Sequence, residues 1–139
     1  MAKKEIKRPT STAQAKSILL VEDDPDVRTA LEQALCCQHY HVVPAANGRQ
    51  ALVELAATQI DVVLLDLNLG PENGWSIFQE IIALQPLLPI VVMTGRPELF
   101  CHRELPRARA FMEKPLDLPV LFRLLEDLAC GNSQLAPEI

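Results

Sequence analysis

Three short stretches, Ile18-Leu19-Leu20-Val21, Val62-Val63-Leu64-Leu65 and Ile90-Val91-Val92-Met93, are apolar at every position. A strand that is apolar on both faces belongs in a parallel sheet covered by helices on both sides. Two weaker runs, Tyr40 to Pro44 and Ala108 to Met112, predict edge strands. The segments between them carry helical spacing. Pro25 to Gln38 sets Val27, Ala30, Leu31, Ala34 and Leu35 on one face, with Asp24 as N-cap and Pro25 at the first helical position. Asn47 caps a second helix with Ala51, Leu52, Leu55 and Ala56 inward. A third follows Gly74 with Ile77, Phe78, Ile81 and Ile82 inward, and a fourth starts near Pro97. Asp117 caps a fifth, whose apolar set is Val120, Leu121, Leu124, Leu125 and Leu128.

Strand and helix alternate five times, and each crossover should be right-handed. The predicted fold is α/β, a doubly wound five-stranded parallel sheet of (βα)5 type in the flavodoxin-like strand order 2-1-3-4-5. One domain spans 17–130, between a basic, flexible N-terminal tail (1–16) and a C-terminal tail (131–139). The length of 139 residues suits a single domain, and 49% apolar against 22% charged residues excludes a disordered chain. No apolar run reaches the ~18–20 residues of a membrane helix. Met1 to Lys16 is polar and basic, without the apolar core of a secretory signal, so a cytoplasmic location is expected.

Charge sharpens the picture. The net charge is −5, but residues 1–16 carry +4, so the remainder carries −9. An acidic body is a poor surface for nucleic acid, which needs clustered Lys and Arg. Cys36, Cys37, Cys101 and Cys130 match no zinc or redox spacing and are expected to be reduced, partly buried thiols. His39, His41 and His102 lack ligand spacing and receive no chemistry.

In open α/β sheets, sites form beyond the carboxyl ends of the strands. Here the three strongest strands end in Glu22-Asp23-Asp24, in Asp66 and in Thr94, and the fifth ends in Lys114-Pro115. Carboxylates converging on one edge repel, and burying them without a counter-charge costs several kcal/mol. A hard, oxygen-preferring cation such as Mg²⁺ resolves the conflict. The Lys114 ammonium can bind an oxyanion, and Thr94 supplies a hydroxyl. An Asp nucleophile, a charge-neutralising metal and oxyanion donors together make a phosphoryl site.

With those residues in view, the chain resembles the receiver domain of two-component response regulators. The resemblance rests on ILLVEDDPDVR at 18–28, VVLLDLNLGPENG at 62–74, VVMTG at 91–95 and FMEKP at 111–115, in that order and spacing. It implies that Asp66 is the phosphoacceptor. It implies that Glu22, Asp23, Asp66 and the Asn68 backbone carbonyl hold Mg²⁺ or Mn²⁺. Thr94 and Lys114 would contact the phosphoryl group, Thr94 and Phe111 would form the switch, and the Lys114–Pro115 bond would be cis. The implied donor is a sensor histidine kinase or a phosphotransfer protein. The face formed by the fourth helix, fifth strand and fifth helix would meet an output partner or a second copy. Such a domain is a signalling switch rather than an enzyme with a released product, catalysing only its own phosphorylation and dephosphorylation.

The chain departs from the family pattern at two places. Leu69-Gly70-Pro71 moves the usual proline by one position, which predicts a reshaped loop, and Phe111 stands where Tyr is frequent. Rival functions fit less well. A flavodoxin-type cofactor module needs a Ser/Thr/Gly-rich phosphate loop after its first strand, where Glu22-Asp23-Asp24-Pro25 would repel phosphate. An aspartyl-phosphate hydrolase needs an acid two residues after the nucleophile, where Asn68 stands. A receiver-like module that only binds protein has no need of the acidic pocket.

Overall fold

The computed structural model describes residues 15–96, 98 and 107–129. In chain order the strands are β1 (Ser17–Val21), β2 (His41–Ala45), β3 (Val62–Asp66), β4 (Asn68–Leu69), β5 (Glu72–Asn73), β6 (Ile90–Thr94) and β7 (Ala110–Glu113). The described helices are α1 (Pro25–Cys37), α2 (Gly48–Ala57), α3 (Gly74–Leu84) and α4 (Leu118–Ala129). The main sheet runs β2-β1-β3-β6-β7, with every pair parallel. Counting only these five strands in chain order, the arrangement is the expected 2-1-3-4-5. The labels shift because a small antiparallel ribbon, β4–β5, follows β3. That ribbon was not anticipated. The helix expected near Pro97 lies outside the described residues, as do Cys101, His102, Cys130 and most of the two tails.

Alternation along the central strands builds two cores. Leu19, Val21, Val63, Leu65 and Val92 point to one face, where Ala51 and Leu55 of α2 and Ile77, Phe78 and Ile81 of α3 cover them. Ile18, Leu20, Val62, Leu64, Val91 and Met93 point to the other face, beneath Leu31 and Leu35 of α1 and Leu121, Leu125 and Leu128 of α4. A strand buried on both faces must be apolar throughout, which is why β1, β3 and β6 read as continuous runs.

The caps follow side-chain chemistry. Asp24 Oδ1 accepts from the backbone N–H of Asp26 at 2.9 Å, and Pro25 opens α1. Asn47 Oδ1 accepts from Gln50 N–H at 2.9 Å, and Asp117 Oδ1 accepts from Val120 N–H at 3.2 Å. Asn73 caps α3 by accepting from Trp75 N–H at 2.9 Å, a cap hidden in sequence by the ribbon before it.

Several expectations need correction. The edge strands sit slightly later than predicted, because register with β1 and β6 begins at His41 and Ala110. Ala30 is exposed, lining an open apolar groove with Leu116 and Leu118. Ala56 is exposed as well, one step round α2 from the buried Leu55. Val120 is exposed rather than inward. Cys36 and Cys37 are exposed free thiols in the last turn of α1, not partly buried.

Candidate functional site

The carboxyl ends of β1 and β3 bring three acidic side chains together. Carboxylate oxygens of Glu22, Asp23 and Asp66 all lie within 4.8 Å of one another, and this is the one such cluster among the described residues. Strand parity explains the convergence. Asp66 continues the face of Val62 and Leu64, and the backbone N–H of Glu22 still donates to Ala45 O at 3.0 Å, so Glu22 continues the face of Ile18 and Leu20. Glu22 and Asp66 are almost fully buried, whereas Asp23 is exposed.

Lys114 reaches in from the end of β7. Its Nζ donates to Glu22 Oε1 at 2.7 Å and to Asp66 Oδ2 at 3.2 Å. The remaining oxygens are also engaged. Glu22 Oε2 accepts from Asp24 N–H at 3.2 Å, and Asp66 Oδ1 accepts from Asn68 N–H at 3.0 Å. Burial raises the Glu22 carboxyl above its ordinary pKa, outweighing the ammonium beside it, and the Asp66 charge pushes in the same direction. Burial alone would lower the Lys114 pKa, but the hydrogen bond to Glu22 and the two carboxylate charges raise it. The cluster therefore holds an excess of negative charge behind one counter-ion.

Glu22, Asp23, Asp24, Asp66, Asn68, Gly95 and Lys114 line an open cavity of about 230 Å³. The ligand atoms are hard oxygens, and among the described residues the exposed Asp23 carboxylate accepts no hydrogen bond, which suits a small dication that keeps part of its water shell. Asp24 lines the same cavity but spends its carboxylate on capping α1.

Thr94 sits at the end of β6 but is turned away from the acids. It continues the face of Ile90 and Val92, the opposite parity to Asp66. Its Oγ1 accepts from Arg96 N–H at 3.0 Å, so in this state the hydroxyl serves the following turn. Phe111 is half-buried and packs against the same core as Ile90 and Val92, with Val92 as its register partner. Thr94 and Phe111 thus share one face, and the carboxylates of Glu22 and Asp66 share the other. The Lys114–Pro115 bond is cis, as the resemblance implied.

One supporting residue lies outside the sequence reading, and Gly74, which keeps the family's usual place, has a packing role that the sequence does not show. Arg28 Nη1 donates to Glu22 O at 2.8 Å and to Asp23 O at 3.4 Å, tying α1 to the acidic turn. A helical arginine six residues on carries no mark of that role. The Gly74 N–H donates to Leu67 O at 3.1 Å, and a Cβ there would overlap the Leu67 backbone. Only glycine allows α3 to start this close to the residue after Asp66.

The family model described as the response regulator receiver domain matches residues 18–126. The chain belongs to that family. Among curated relatives, the transcriptional regulatory protein GlrR of Escherichia coli is 31% identical over 118 residues, which is 79% of this chain and 25% of GlrR. The DNA-binding transcriptional regulator NtrC of Salmonella typhimurium is 29% identical over 111 residues, 78% of this chain and 24% of NtrC. The chain thus spans about a quarter of the length of these relatives. Among solved structures, the response regulator TrrA of Thermotoga maritima, in complex with Mg²⁺-BeF, gives a TM-score of 0.76 at 25% identity and covers 81% of this chain and 98% of that one. A CheY-like receiver domain from Methanospirillum hungatei gives 0.79 at 22% identity, covering 87% and 98%, a likeness of fold. As a receiver domain, the chain is a signalling switch of two-component regulation. No described helix is long and apolar enough to cross a membrane.

Proposed function

We propose that this receiver domain accepts a phosphoryl group on Asp66 from a phosphohistidine of a sensor histidine kinase or phosphotransfer protein, with Mg²⁺ or Mn²⁺ bound. The observation that carries the reading is the junction of Glu22, Asp23 and Asp66 carboxylates with the Lys114 ammonium in one open cavity. Glu22, Asp23, Asp66 and the Asn68 carbonyl would hold the metal; the acidic cluster supports this, and the TrrA structure holds Mg²⁺-BeF. When bound, the cation neutralises charge on the carboxylates and on the incoming phosphoryl oxygens.

The chain's own residues do the rest. An Asp66 carboxylate oxygen attacks phosphorus, the P–N bond breaks, and the imidazole leaves with the electron pair to be reprotonated. Asn68 N–H holds Asp66 Oδ1 in place, which orients the nucleophile. Lys114, already poised 3.2 Å from Asp66 Oδ2, donates to the phosphoryl oxygens as they arrive. Water later cleaves the acyl phosphate and regenerates Asp66.

Signal output would use the opposite face. The Thr94 hydroxyl leaves Arg96 for the phosphoryl group, and Phe111 turns into the space released. That changes the surface along the edge strand β7, where an output partner or a second copy would dock. The phosphoryl group can only bias two states that already exist, by its difference in affinity for them. A cytoplasmic location belongs to the same reading and suits the exposed thiols of Cys36 and Cys37.

The test is incubation with acetyl phosphate and Mg²⁺ followed by intact-mass analysis. The wild type should gain one phosphoryl group, and Asp66→Asn or chelation of the metal should abolish the gain. Unchanged labelling of Asp66→Asn would overturn the assignment.

A further inference from the structure

The segment after Asp66 is more ordered than a plain loop. β4 and β5 pair through Asn68 with Asn73 and Leu69 with Glu72, which leaves Gly70-Pro71 as a two-residue connection. Gly70 has φ +63, and the ring of Pro71 confines its φ to about −65°. Among the tight hairpin turns, type II′ takes a positive φ at the first central residue and a negative one at the second. The order Gly-Pro therefore specifies that turn, where the reverse order would not.

The turn abuts the acidic cluster. A Cβ built on Gly70 would lie 3.2 Å from Asp23 Oδ2, closer than ordinary van der Waals contact. Glu22 and Asp66 each have both carboxylate oxygens held by donors, whereas no donor is recorded for the exposed Asp23 carboxylate among the described residues. The backbone of Gly70 lies beside it.

We propose that Gly70 is a positioning residue whose lack of a side chain sets where the Asp23 carboxylate sits against those of Glu22 and Asp66 when a divalent cation binds. The inference rests on the metal reading above. Metal–ligand distances tolerate only about ±0.2 Å. A methyl group at 3.2 Å forces the carboxylate to give by a few tenths of an ångström, about as much as the site can absorb or more. Because Asp23 is exposed and loosely held, it moves away and the turn survives. The Gly-Pro order in the ribbon thus serves metal affinity as well as local folding.

The experiment titrates Mn²⁺ into the unphosphorylated full chain, reading the free ion by electron paramagnetic resonance. The set is wild type, Asp23→Ala, Gly70→Ala, Gly70→Asn and the double variant Gly70→Asn with Asp23→Ala. Asn accepts a positive φ, so it adds the crowding Cβ with less backbone strain than Ala. Both Gly70 variants should bind about tenfold more weakly, the low end for changes to groups that orient ligands. In the Asp23→Ala background, Gly70→Asn should add nothing, because its effect runs through the missing carboxylate. Wild-type affinity in Gly70→Asn would overturn the inference while leaving the metal reading intact. So would an undiminished Gly70→Asn effect in the Asp23→Ala background. If Gly70→Ala fails to fold by circular dichroism, the Asn arm decides alone. Absence of Mn²⁺ binding by the wild type, or full affinity in Asp23→Ala, would instead bring down the metal reading and the inference with it.

Discussion

Replacing Lys114 by Met isolates the electrostatic problem at the heart of the site. The substitution keeps most of the stem and removes the ammonium that lies 2.7 Å from Glu22 Oε1 and 3.2 Å from Asp66 Oδ2. Those two carboxylates are 1% and 2% exposed, so water cannot replace the lost partner easily. Removing one member of a fully buried ion pair costs about 3–5 kcal/mol. The Lys114 side chain is 23% exposed and the cavity is open, so a discounted loss of about 2–3 kcal/mol is expected. In a domain whose whole stability is about 5–15 kcal/mol, that lowers Tm by roughly 8–15 °C. The assay is urea unfolding at pH 7 without divalent cations, followed by Trp75 fluorescence and circular dichroism. Adding Glu22→Gln to Lys114→Met removes one of the stranded charges and should recover at least half the loss. On the proposed metal reading, saturating Mg²⁺ should also recover stability in the single variant, because a ligand of the folded state alone stabilises it. If Lys114→Met unfolds at the wild-type urea concentration, or if Glu22→Gln restores nothing, the account of the cluster as an excess of buried charge is wrong.

Other consequences can be checked separately. Glu22→Gln alone should stabilise the metal-free domain at pH 7, because burial holds the Glu22 pKa up and its ionisation opposes folding. The sign follows from linkage: the Glu22 contribution is fully present below the unfolded pKa of about 4.3 and is lost as pH rises through the higher folded value, so the variant should lose that part of the pH slope of the urea midpoint. Gly74→Ala should cost about 1–3 kcal/mol in thermal unfolding, because its Cβ meets the Leu67 backbone. Asp24→Ala should cost about 1 kcal/mol of stability while Mg²⁺ binding persists, whereas Asp23→Ala should weaken Mg²⁺ binding far more; equal metal effects would overturn that division of roles. Thr94→Ala should still be phosphorylated, yet hydrogen exchange over 108–125 should respond less than in the wild type to a phosphate mimic; an equal response would break the proposed link to Phe111.

What was legible in the sequence was whatever a local pattern records. β1, β3 and β6 are apolar on both faces because helices cover both, and that leaves an unbroken run. Asp24, Asn47 and Asp117 stand immediately before helices and act on donors two or three residues away. The acidic residues and Lys114 end strands of a parallel sheet, so topology alone brings them to one edge. What was not legible depends on contacts across the fold. Arg28 finds its carbonyls because α1 turns back over the β1 end, and Gly74 matters because α3 begins against Leu67. The ribbon needed the pairing of Leu69 with Glu72, which neither residue announces. Ala30 and Ala56 have apolar side chains at plausible spacing, but small residues at the margin of a helical stripe are covered only if a neighbour reaches them. The orientation of Thr94 depended on strand parity, which sets it on the Phe111 face and its hydroxyl on Arg96.

The central claim is that Asp66 receives the phosphoryl group, and reductive trapping addresses that residue directly. Borohydride reduces an aspartyl phosphate to homoserine, so protein incubated with a phosphodonor and Mg²⁺ is reduced, digested and mapped by mass spectrometry. Homoserine at position 66, dependent on both the donor and the metal, is the predicted result. Homoserine at Asp23 or Asp24 with none at position 66, or a phosphorylated protein that yields no homoserine at all, would contradict it.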